Sequence, residues 1–145
     1  MFDELDKYQE NDHFFLTDKK DLEAVCNAPA DKSGVFVVYA LKDGRIELIY
    51  IGSSGARLDD GTISIRKEGL GGMKDSIVNG FHFGNIPRKL SWKNQMKKEN
   101  IEALDIYWFA THNNKYADCP KMLEVQLTAK HIDICGRLPR WNQLK

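Results

Sequence analysis

Three short stretches of this chain are too apolar and too rich in β-branched and aromatic residues to be surface helices. Residues 34–41 read Gly-Val-Phe-Val-Val-Tyr-Ala-Leu, residues 46–51 form a second such run, and residues 101–110 contain Ala-Leu-Asp-Ile-Tyr-Trp-Phe. The first two flank Lys42-Asp43-Gly44-Arg45, and two strands around Asp-Gly predict a hairpin. The third predicts a strand buried on at least one side. Between and around them the pattern turns helical. A segment at 17–28 has Thr17 as a possible N-cap, acids in its first turn, Leu22 and Val25 on one side, and Pro29 to end it. Weaker helical segments are expected at 70–79 and 87–100, the latter with Pro87 at a position that suits a helix start. The next helix opens at Asp118-Cys119-Pro120, with Asp118 as a possible cap, runs to about Cys135 and is closed by Gly136. The polar stretch 52–62 is expected to be a loop, and the tail 137–145 is expected to be non-helical, pinned by Trp141.

Length and composition narrow the class. At 145 residues, 42% hydrophobic and 29% charged, the chain suits one ordinary domain and lies far from compositions that stay disordered. No run approaches the length of apolar sequence needed to cross a bilayer, and the first residues are acidic, so no membrane partner and a cytoplasmic location are expected. Three cysteines without CxxC spacing favour reduced thiols over disulfides or a zinc ribbon.

A net charge of zero conceals an asymmetry. Residues 1–31 carry nine acids against three lysines, and this segment is expected to form an acidic, helical N-terminal extension of the domain. The remainder is correspondingly basic. Arg88, Lys89, Lys93, Lys97 and Lys98 cluster with no intervening acid, as a surface that meets phosphates would.

Gly34-Val35-Phe36 and, some fifteen residues on, Tyr50-Ile51-Gly52 lie in one predicted hairpin, followed by a helix with a single glutamate, Glu124, and by Trp141-Asn142. In order and spacing this resembles the GIY-YIG nuclease superfamily over most of the chain. The resemblance implies an α+β fold with a small antiparallel sheet of about three strands flanked by helices. It also implies a divalent-metal-dependent endonuclease that hydrolyses phosphodiester bonds, using Mg2+ or Mn2+, with nucleic acid, expected to be DNA, as partner. Glu124 corresponds to the metal-binding glutamate, Tyr50 to the motif tyrosine that orients or deprotonates water, and Asn142 to the C-terminal asparagine. Three departures stand out. Phe36 replaces a tyrosine, Ser53-Ser54 stand where many members have a lysine, and no arginine sits at the expected helix position. Arg66 is the first choice for that role, with Arg57 and Lys74 as alternatives, and Lys74 joins Arg88, Lys89, Lys93 and Lys97 as a candidate phosphate contact. Outside the motif, Glu124 would be an ordinary surface residue paired with Lys121 three positions earlier. His82, between two phenylalanines, is an alternative base or simply a packed ring. The departures leave open a domain that keeps the fold and binds nucleic acid without cutting it. The acidic N-terminal segment leaves open a protein-docking domain.

Overall fold

Asp43 and Gly44 both take positive φ, 51° and 72°, which matches a tight turn to the twist of the strands it joins. This turn connects β2, Gly34–Lys42, to β3, Arg45–Ser54. The computed structural model describes residues 1–143, and in it these two strands belong to a four-stranded antiparallel sheet. Its other members are β1, Asn11–Leu16, and β4, Ala103–Ala110, in the order β1-β4-β2-β3. The helices are α1, Leu22–Val25, α2, Gly72–Asn79, α3, Arg88–Glu99, α4, Pro120–Cys135, and α5, Arg140–Gln143. The α+β class with a small sheet flanked by helices is therefore observed.

Strand alternation divides the apolar residues of β2 between two cores. Phe36, Val38 and Ala40 face α1, α2, α3 and α5, where Leu22, Met73, Ile77, Trp92 and Trp141 complete one cluster. Val35 and Val37 face the other way, against Leu123 and Leu127 of α4 and against Leu5 and Tyr8 near the N-terminus. The two motif glycines are demanded by close approach. A Cβ on Gly34 would lie 1.9 Å from the Phe109 carbonyl oxygen, and one on Gly52 would lie 2.6 Å from the Phe36 ring and 2.8 Å from that of Tyr50. Any side chain at either position would force the strands or rings apart.

Four expectations need correction. The sheet has four strands, because residues 11–16, read as part of a helical extension, pair with β4 instead. The helix expected at 17–28 shrinks to the single turn Leu22–Val25. Asn27, beyond it, is committed elsewhere: its amide donates to Asp12 and to the His13 carbonyl and accepts from the Trp108 indole. Asp118 does not cap α4, since Cys119 occupies that place and Asp118 instead accepts from the Tyr8 hydroxyl. Finally, the tail forms a short helix at Arg140–Gln143 despite Pro139, with Trp141 fully buried as expected. Leu144 and Lys145 lie outside the described residues.

α2 is held by a buried carboxylate. Asp75 is 1% exposed and accepts hydrogen bonds from Asn79, from the Leu70 N–H and from Arg66. Burial works to raise its pKa, but these donors outweigh that and hold the carboxyl below its ordinary value. A depressed folded-state pKa contributes stability above the unfolded value, about pH 4, and the contribution disappears as pH falls through the lower folded value. Asp75→Asn is therefore expected to be less stable than wild type at pH 7. It should also lose less stability than wild type when urea unfolding is repeated below about pH 4. Parallel acid limbs for the two proteins would contradict this assignment.

Candidate active site

β3 is an edge strand that continues through Gly52, Ser53 and Ser54, residues the sequence reading assigned to a loop. Its continuation places alternate side chains on opposite faces at the sheet's rim. Tyr50 packs towards the α3 side, while Ser53 turns to α4 and donates a 2.7 Å hydrogen bond to Glu124 Oε1. The two faces meet around this edge in an open cavity of about 790 Å³, lined by Tyr50, Ser53, Ser54, Arg66, Ser76, Arg88, Lys121 and Glu124, among others. The phenol and the carboxylate thus share one cavity.

Arg88, at the start of α3, is the principal cation beside the phenol. Its Nη2 donates to the Tyr50 hydroxyl at 2.9 Å, its Nη1 donates to the Ser76 carbonyl at 2.6 Å, and its plane lies over the rings of Phe36 and Tyr50, each 5.4 Å from the centroid. Among the described residues no carboxylate lies within ion-pair distance of it. An arginine held by rings and a carbonyl, with no acid to neutralise it, keeps its positive charge for whatever enters the cavity.

Glu124 has a second partner. Lys121 Nζ lies 2.9 Å from Oε2, the pairing expected of an ordinary helix-surface glutamate. The carboxylate's side chain is 19% exposed and that of Lys121 64%. The hydrogen bond and charge of Glu124 raise the Lys121 pKa, and Tyr50 lies close enough to add to the effect.

Asn142, expected at the site, is not among the residues lining the cavity. Its side-chain amide donates to the Ile51 carbonyl at 2.9 Å and its oxygen accepts from the Ile51 N–H at 3.0 Å, so it pairs both backbone groups of the residue that follows Tyr50. An edge strand otherwise leaves such groups unpaired, and this clamp fixes β3 where Tyr50 leaves it. His82 supports the same tyrosine from below. Its ring centroid is 4.5 Å from that of Tyr50, and its nitrogens meet the Trp141 carbonyl and the Trp92 indole N–H. A carbonyl only accepts and an indole only donates, so Nε2 carries the proton and both nitrogens are engaged in packing.

The arginine expectation is revised. Arg66 lines the cavity, but its Nε is tied to Asp75 at 2.6 Å. Arg57 is not among the lining residues, and Lys74 donates to the Cys26 carbonyl, away from the cavity. Arg88, expected as a peripheral phosphate contact, is the one that reaches Tyr50. The sequence carried a signal for it in Pro87, which suits a helix start and so fixes where the arginine of α3 projects. Lys89, Lys93 and Lys97 follow at four-residue intervals along α3, forming one stripe that leads away from the cavity. Ser53 was the unforeseen member, and Lys121, expected only as a helix-surface partner of Glu124, also lines the cavity. The serine counted as a departure from the family pattern is what donates to Glu124 Oε1.

Comparison with protein-family models, with curated proteins and with solved structures yields no match. Among the described residues no group of three or more His, Cys, Asp and Glu side chains is placed to hold a metal, and no helix is long and apolar enough to cross a membrane.

Proposed function

We propose that this chain is a divalent-metal-dependent endonuclease of the GIY-YIG type, acting on DNA. The observation that carries the reading is the convergence of Tyr50, Arg88 and Glu124 on one open cavity at the rim of the sheet. The donor set suits a hard cation. Glu124 offers a carboxylate and Ser53 a hydroxyl beside it, with no sulfur or imidazole, and Mg2+ or Mn2+ takes oxygen ligands, Mg2+ retaining most of its waters. One protein carboxylate together with phosphate oxygens is then a sufficient cage. Bound there, the cation would neutralise charge on the phosphate and lower the pKa of a bound water.

The remaining chemistry belongs to side chains. A phosphodiester in the cavity meets the Arg88 guanidinium, whose free N–H groups hydrogen-bond phosphate oxygens and whose charge offsets that developing at phosphorus. The Tyr50 oxygen accepts from Arg88, so its own proton is directed elsewhere. Tyr50 is thereby placed to orient a water and take its proton, passing its own to solvent in the open cavity, as the water oxygen bonds to phosphorus. The P–O bond opposite breaks, and the departing oxygen takes a proton from solvent, which the open cavity admits. Ser53 keeps Glu124 aimed, and Asn142 keeps β3 in place. The stripe of Lys89, Lys93 and Lys97 lies along α3 for the flanking phosphates, and its contribution is expected to weaken with salt.

One observation favours the binding-only alternative. Phe36, where a second tyrosine would stand, is fully buried under the Arg88 guanidinium, leaving one phenol in the cavity. Supercoiled plasmid separates the two readings. Wild-type protein is expected to convert it to open circles in Mg2+ or Mn2+ and to leave it intact in EDTA. Salt-sensitive binding without nicking in any divalent ion would establish the binding module instead.

A further inference from the structure

Lys121 occupies the side of Glu124 that a cation would use. Its ammonium sits on Oε2 while Ser53 takes Oε1, so both carboxylate oxygens are engaged from within the chain. The two partners differ in kind. Ser53 is on a strand, its donor fixed by the sheet, and a neutral hydroxyl oxygen can share the carboxylate with a metal ion. Lys121 is a mostly exposed, flexible cation one helical turn before Glu124, and a divalent ion entering beside it meets a like charge at contact distance. Both residues line the same cavity as Arg88, where a phosphate would bring negative charge.

We propose, resting on the nuclease reading above, that Lys121 is a substrate-responsive gate on the cation site. Without nucleic acid it neutralises Glu124 and keeps divalent affinity low. A phosphate in the cavity draws the ammonium away, the Glu124 carboxylate is left unpaired on that side, and divalent affinity rises. Linkage makes the effect reciprocal, so the metal strengthens binding of the phosphate to the same degree. The arrangement holds back metal-assisted hydrolysis until a phosphodiester is in place. Lys121 is a positioning residue in this scheme, acting through Glu124.

Mn2+ binding tests the gate without relying on cleavage. Free Mn2+ is titrated by electron paramagnetic resonance against wild type, Lys121→Met and Glu124→Gln, and circular dichroism confirms that each is folded. Lys121→Met is expected to bind Mn2+ about tenfold more tightly than wild type in the absence of nucleic acid, and Glu124→Gln is expected to lose the site. In a Tyr50→Phe background, where a duplex should stay intact, adding duplex DNA is expected to tighten Mn2+ binding. Adding Lys121→Met to that background should remove most of the tightening. Equal affinities for wild type and Lys121→Met, with Glu124→Gln alone defective, would overturn the gate and leave the metal site standing. Identical weak binding by all three proteins would overturn the gate and the metal assignment together.

Discussion

Glu124→Gln is expected to lower the rate of Mg2+-dependent plasmid nicking by roughly 10³-fold or more, since a metal's charge stabilisation in such a step is worth several kcal/mol. The substitution is nearly isosteric. The amide oxygen can still accept from Ser53 or Lys121, but the negative charge that would hold a divalent ion is gone. Little stability should be lost with it. Glu124 makes one helix-surface pair to a largely exposed lysine, a contact of about 0.2–0.5 kcal/mol, and the residue packs at the cavity wall and not in either core. Single-turnover nicking and thermal unfolding, measured on the same preparation, separate a chemical loss from a folding loss. A mutant that unfolds within a few degrees of wild type and cuts at the wild-type rate would remove Glu124 from the reaction.

The hydroxyl of Tyr50 carries the second large effect. Tyr50→Phe removes one oxygen and leaves the ring on its neighbours, His82 at 4.5 Å and Phe36 at 6.0 Å between centroids. The group lost is the acceptor of the Arg88 hydrogen bond. A positioned acid–base group contributes about 10²- to 10⁴-fold, and a loss in that range is expected in the rate of the bound complex. DNA affinity should change little, because Arg88 and the α3 lysines remain. A loss confined to affinity, with the bound complex reacting at its normal rate, would instead make Tyr50 a substrate-holding residue.

How much of this was legible in the sequence depended on how local the determining physics was. The hairpin was, since β-branched runs around Asp43-Gly44 leave few alternatives. So was α4, bracketed by Pro120 near its start and by Gly136, which adopts a left-handed conformation at its end. β1 was not, because Asn11-Asp12-His13 is polar and its strand state rests on pairing with β4, more than ninety residues away. The same division holds for the site. Tyr50 and Glu124 were singled out from local pattern, and the structure brings them to one cavity. Arg88 was seen only as one member of a basic cluster, because its turn inward depends on Ser76, Phe36 and Tyr50, each from a different element. Ser53 was read as a missing lysine because its role appears only when β3 continues past Gly52 to face α4. Arg66 was chosen for its nearness in sequence to the hairpin, and it does line the cavity, but the buried carboxylate of Asp75, nine residues on in α2, holds its Nε.

The most direct measurement combines the two large effects. Single-turnover nicking by Tyr50→Phe, by Glu124→Gln and by the double mutant reports whether phenol and carboxylate serve one step. Groups that act as a unit are strongly non-additive. The double mutant is therefore expected to be about as slow as the slower single mutant. Losses that multiply in full, or wild-type nicking by either single mutant, would contradict a shared reaction centre in this cavity.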